Sequence, residues 1–238
     1  MMTQEIKDII RAAHERGERP NLSHRNLSGL KLQNYNLNIV DFSGSDLSNA
    51  DLSGSDLSYA NLDGAILKCS NLSWTNLSSA HLNKADLDGA IFEHSDLSAA
   101  SLKGSEARKA SFKSAYLRAA DLARADFSGA ILIDCTMTGI RAMAGNLSNA
   151  DLTRACLDGA NLSGCILHSA NLCEASLIAA DLTRADLQSA NLENSNFNDA
   201  DLWLAVLQGS NVRGTSFQRA TLPNGKRKGI FNSLKKFC

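Results

Sequence analysis

Residues 46–65 read DLSNA DLSGS DLSYA NLDGA, with a leucine at every fifth place (Leu47, Leu52, Leu57, Leu62) and Asp or Asn directly before each one. Working outward, Leu or Phe keeps the same register from Leu22 to Leu222, about forty units and far more than chance supplies. Two residues before the central one stands a small residue, most often alanine, as at Ala50, Ala60, Ala80, Ala85, Ala150, Ala170 and Ala190. The unit is therefore A-D/N-L-x-x. An α-helix turns roughly 100° per residue, so leucines five apart would step about 140° and spiral over every face without a buried stripe. A straight strand alternates faces with period two, so an odd spacing would bury one leucine and expose the next. The leucines can share one interior only if the chain turns a corner within each unit, with the small residue filling that corner.

These units resemble the pentapeptide-repeat family, whose motif is the same A-D/N-L-x-x, over residues Pro20 to about Asn224. The resemblance implies an all-β fold, a right-handed quadrilateral parallel β-helix with four units per coil and about ten coils stacked at roughly 4.8 Å. On a twenty-residue coil Phe92 and Phe112 are direct neighbours, as are Phe197 and Phe217, and such pairs are expected to stack.

The pattern divides the chain into 1–19, 20–224 and 225–238. In the first part Ile6, Ile9, Ile10 and Ala13 share one helical face, with Gly17 as a stop and Pro20 beyond, which predicts a helix capping the first coil. Bulky Leu30, Tyr35 and Val40 at corner positions fit a wider end meeting that helix. Pro223, Asn224 and Gly225 break the repeat; Lys226, Arg227 and Lys228 follow, and Ile230, Leu234 and Phe237 recur at helical spacing in a short basic amphipathic segment. The weakest units run from Cys135 to Gly145, with Met137 and Ala142 at the centre and an oversized Ile140 at a corner; the register survives, so a local change of bore is expected there rather than a boundary.

With 44% apolar residues in 238, a substantial core is available, and its makings are Leu and Ala because aromatics are 5%. A net charge of -1 suits neither a wholesale nucleic-acid binder nor an acidic mimic of nucleic acid. The first twenty residues mix acids and bases and hold no apolar run suited to a signal peptide or a span, so a cytoplasmic location is the expectation. Six cysteines without a C-x-x-C pair read as reduced thiols, with Cys135 and Cys165 standing in for corner alanines, and no metal is expected.

A coil filled with Leu and Ala leaves no void of ligand size, so an internal active site has nowhere to sit. The recurring Asp and Asn read as partners of corner backbone. His14, His24, His81, His94 and His168 are scattered, Ser48, Ser53 and Ser58 suit an exposed strand, and neither a nucleophile elbow nor a phosphate loop occurs. Neither catalysis nor a cofactor is expected.

What remains is surface. Trp74, Ile133, Ile178, Trp203 and Leu204 fall at outward positions, and Trp203, Leu204 and Val206 lie close together near the C-terminal end. With Lys226, Arg227, Lys228, Ile230, Phe231, Leu234 and Phe237 they form the candidate interaction surface for a protein partner, for a homodimer through the C-terminal end, or for membrane contact through the basic segment; direct nucleic-acid binding is not expected. Charge runs along the chain: Asp41, Asp46, Asp51, Asp56 and Asp63 fall between Lys31 and Lys68 with no base among them, Lys103, Arg108, Lys109, Lys113, Arg118 and Arg124 form a basic belt, and no acid follows Asp201. The function expected is a non-catalytic interaction or scaffold protein. The resemblance implies an alternative, since some family members mimic duplex DNA, bind DNA gyrase or topoisomerase IV and confer resistance to quinolones or toxins; the near-zero net charge, basic tail and lack of loop insertions depart from that type.

Overall fold

The computed structural model describes residues 2–227, so Lys228 to Cys238 lie outside the described residues. It opens with α1, Met2–Glu15. The helix ends as its sequence requires: Gly17 takes φ 66° and donates to the His14 carbonyl at 3.0 Å, and Glu18 donates to Ala13 at 2.9 Å. That paired arrangement satisfies carbonyls that a helix end otherwise leaves bare, and it needs a residue free to adopt positive φ.

Beyond α1 the chain is one coil repeated. From Asn21 to Asp201, every fifth residue pairs in parallel with the residue twenty positions later, so four units close each turn. The result is a quadrilateral β-helix with four sides. Side one carries the ladder Asn21, Asp41, Asn61 and onward to Thr221; sides two, three and four begin at Asn26, Lys31 and Asn36. Among the described residues no continuous strand forms, because each unit gives one ladder residue and then turns. Ser48, Ser53 and Ser58, expected on an exposed strand, therefore stand in turns.

Hydrogen bonding explains the unit. Around Leu47, the Leu47 N–H donates to Ile66 O at 2.7 Å and the Asn49 N–H to Lys68 O at 2.8 Å, both one coil onward. Ala50 N–H closes the turn onto Leu47 O at 3.0 Å, and Asp51 N–H reaches back to Leu30 O at 2.8 Å. That leaves one donor per unit, the N–H after the leucine. The Asp or Asn before the leucine accepts it: Asp46 Oδ1 takes the Ser48 N–H at 2.9 Å, and Asn61 Oδ1 takes that of Asp63 at 3.2 Å. Buried or half-buried backbone donors must be paired, so the acid-or-amide position is a backbone requirement.

The same turn imposes a cost. At every fifth position from His24 to Arg219 the second residue after the central one has positive φ, with negative φ before it, the signature of a type II turn. Glycine fills some of these places, but so do Ile39, Tyr59, Trp74 and Leu204. The coil-to-coil bonds on either side hold these side chains in a region they disfavour.

The interior is a solid column. Central Leu and Phe and corner Ala are buried throughout, and Phe92 stacks on Phe112 with ring centroids 4.7 Å apart, as Phe197 does on Phe217 at 5.2 Å. The register stays unbroken through the weak units, where Ile140 at its corner and Ala142 at its centre are both fully buried, so a large corner offsets a small centre. Ala107 is a second small centre, followed one coil later by Phe127, whose ring leans on Phe112 at 5.2 Å. At the N-terminal end Ile6, Ile10 and Ala13 join the core beside Leu30 and Val40, and the Tyr35 hydroxyl donates to Lys7 O at 3.2 Å. The helix thus covers the first coil.

Candidate interaction surface

The chain reverses just after the last coil. Leu222 N–H donates to Lys226 O and Gly225 N–H to Leu222 O, both at 2.8 Å, while Gly225 takes φ 78° and Thr221 pairs antiparallel with Arg227. This fold-back closes the side-one ladder and places Gly225 beside Trp203: a β-carbon there would sit 3.6 Å from Trp203 Cδ1. Trp203 and Leu204 occupy the exposed turn of side one, with the Trp203 N–H bound to Asp201 and the Leu204 N–H to Pro223 O. Val206 lies across the Ala205 corner, at a side-two ladder place paired with Asp186. The three keep 44%, 47% and 42% of their surface exposed, so the fold-back flanks the apolar patch without covering it. Arg184 lies over the Trp203 ring, 5.8 Å from its centroid.

The structure therefore brings Trp203, Leu204 and Val206 together, with Lys226 following Gly225 in the fold-back and Arg227 paired to Thr221. Lys228, Ile230, Phe231, Leu234 and Phe237, the helical stripe expected from the sequence, lie outside the described residues.

Other outward residues are placed as the twenty-residue period requires. Trp74 is 66% exposed and stacks on His94 one coil onward, with centroids 4.2 Å apart. Ile178 is exposed and Ile133 half-buried. Exposed Tyr59, Tyr116 and Met143 were not singled out from the sequence; the twenty-residue period would have found Met143, three coils earlier in the file of Trp203. The basic belt encircles the rod, since Lys103, Arg108, Lys113 and Arg118 fall on four different sides. Arg108 is tied to Asp88 and Glu106 at 2.6 Å each.

The chemistry of the thiols and carboxylates is structural. Cys135 Sγ donates to Phe112 O at 2.8 Å and Cys165 Sγ to Ala142 O at 2.7 Å, and burial pushes both thiols up to about 12. Neither thiol is a nucleophile near neutral pH. Ladder Asp and Asn side chains also bond coil to coil, as Asn61 Nδ2 does to Asp41 Oδ1 at 3.0 Å. In several units whose ladder residue is not Asp or Asn, an acceptor one coil earlier takes over: Asp88 accepts the Arg108 N–H at 3.0 Å and Asp158 the Ile178 N–H at 3.0 Å. Among the described residues no group of His, Cys, Asp and Glu is arranged to hold a metal ion, and no helix is long and apolar enough to cross a membrane.

The family model for pentapeptide repeats matches successive segments covering residues 21–141 and 145–224. The chain is a pentapeptide-repeat protein. Among solved structures it is similar to HetL of the cyanobacterium Nostoc sp. strain PCC 7120, a pentapeptide-repeat protein involved in heterocyst differentiation regulation, at 32% identity over 92% of this chain and 98% of HetL, with a TM-score of 0.59. A trypsin-treated form of QnrB1, a plasmid-mediated fluoroquinolone resistance protein, is 20% identical over 80% of this chain and 85% of its own, with a TM-score of 0.48. The pentapeptide-repeat protein alr5209, also from Nostoc, is 34% identical over 46% of this chain and 79% of its own, with a TM-score of 0.30. No curated protein matches the chain.

Proposed function

We propose that this pentapeptide-repeat protein is a non-catalytic interaction module that engages a protein partner through the C-terminal end of its rod. The observation that carries the reading is the contiguous exposed group Trp203, Leu204 and Val206, flanked by the fold-back that carries Lys226 and Arg227, on a molecule whose interior is packed solid. Scattered apolar residues are ordinary on a surface, whereas a cluster of aromatic and aliphatic groups beside cations has the make-up of an interface centre with a polar rim. The similarity to HetL, a protein involved in heterocyst differentiation regulation, supports a regulatory role. A second copy of the chain, meeting end to end, is one partner that this surface could serve.

Two variants test the reading, Trp203→Glu with Leu204→Glu, and Ile178→Glu with Tyr116→Glu as an exposed apolar control on side four. Cross-linking in host lysate and sedimentation of the purified protein should lose the same complex or dimer only in the first variant. Equal behaviour of the two would refute the location, and protection of DNA gyrase from a fluoroquinolone by the purified protein would replace the reading with that of a gyrase binder.

A further inference from the structure

Side one carries a second surface, unrelated to the C-terminal patch. Around the middle of the rod a shallow groove of about 440 Å³ is lined by Lys84, Lys103, Arg124 and Arg141, with one carboxylate, that of Asp121, at its floor. The twenty-residue period explains the shape. Lys84, Gly104 and Arg124 occupy the same turn position in three successive coils, and the glycine between the cations leaves a notch. Ala123 extends the small-residue floor, and Met143, 45% exposed, supplies an apolar edge.

The cations play two different parts. Asp121 is nearly buried; Lys103 and Arg141 reach it from either side, each at 3.2 Å, and the Ala123 N–H donates to it at 3.2 Å. Burial pulls the Asp121 carboxyl up, but these hydrogen bonds and charges outweigh it and hold the group below its ordinary value. It stays ionised and fixes Lys103 and Arg141 at the groove margins. Lys84 and Arg124 form no ion pair among the described residues, and their α-carbons stand two coils, or about 10 Å, apart.

We infer that this groove docks a short acidic peptide segment of a partner protein, its carboxylates meeting Lys84 and Arg124 and an apolar side chain resting on Met143. Four cations around one ion-paired carboxylate make a positive trough, and complementary charge steers and registers such a segment. The cations are spread along the groove rather than converging on one point, which suits a line of carboxylates better than a single phosphate. The ends of the trough limit its occupant. Asp63 lies one coil before Lys84 on the same side, and Asp181 and Asp201 follow beyond Arg141, so a long polyanion such as duplex DNA would run onto like charge.

The test uses a fluorescein-labelled oligoglutamate peptide interrupted by leucine, followed by fluorescence anisotropy with the full chain. Lys84→Glu with Arg124→Glu is compared with Lys109→Glu and Arg118→Glu, which change net charge equally on sides two and four. Glu174 already occupies the same turn position at φ 59°, so glutamate is compatible with the fold there, and circular dichroism verifies it. The expected result is peptide binding that weakens with salt, falls at least tenfold in the groove variant and is retained in the control. Absence of binding to the unaltered chain, equal losses in both variants, or competition by inorganic phosphate or a short DNA duplex as effective as that by unlabelled peptide would each overturn the inference.

Discussion

Adjacent alanines give the sharpest test of the turn geometry. Ala99 sits at the positive-φ place with φ 57°, exposed, while Ala100 is the corner residue, fully buried and at ordinary φ. For Ala99→Gly, relief of the left-handed strain is roughly 1–2 kcal/mol, offset by about 0.4–1 kcal/mol for the extra freedom of glycine in the unfolded chain. The net is a gain of about 0.5–1 kcal/mol. For Ala100→Gly the signs reverse: a buried methyl worth about 0.8 kcal/mol is lost and glycine adds a further 0.5–1 kcal/mol or so of entropy cost. The same chemical change one residue apart should therefore raise the denaturant midpoint in one variant and lower it in the other, by a difference of roughly 2–3 kcal/mol. Urea unfolding followed by circular dichroism reads both. Two shifts of the same sign would refute the assignment of strain to one position and packing to the next.

Cys135 and Cys165 should resist a thiol-specific reagent at pH 8 until the chain is unfolded, whereas exposed Cys69 reacts at once, as mass spectrometry of quenched samples would show. Acid should destabilise the rod in a defined window. For Asp51, burial raises the carboxyl but the bonds from Ser53 outweigh it, and Asp41 and Asp88 are likewise held below the ordinary 3.8. Carboxyls depressed in the folded state contribute stability that is present above 3.8 and lost as pH falls through the folded values, so the melting temperature should fall steeply below about that pH. Asp158→Ala removes the acceptor for the Ile178 N–H and should cost on the order of 1 kcal/mol, with faster hydrogen exchange at Ile178 as the local readout.

Much of the coil was legible in advance because one requirement recurs at every unit. The central leucines, the corner alanines and the glycine stop at Gly17 follow from burial and helix termination alone, and the stacking of Phe92 on Phe112 follows once the family resemblance supplies four units per coil. The positive-φ turn was marked by no one residue type, because residues as different as Ile39, Trp74 and Lys84 occupy it and the bonds between coils override their local preference; its trace is the recurrence of glycine at the same place, as at Gly44, Gly54 and Gly64. The compensating acceptors Asp88 and Asp158 were hidden for another reason, as each serves a donor one coil away rather than a neighbour in sequence. The central groove escaped in the same way. Read in chain order, Lys103 and Arg124 belong to a belt that circles all four sides, and only the coil period sets them beside Lys84 and Arg141.

The pairing of all five backbone donors in the Asp- and Asn-led motifs, as around Leu47, has a consequence for change over time and for engineering. Because the two turn side chains are not needed to hold the backbone wherever an Asp or Asn precedes the leucine, they act as interchangeable pegs on a board of fixed pitch. New recognition can be written there by substitution alone, and insertion of a complete four-motif module would lengthen the board while leaving every existing peg in its row.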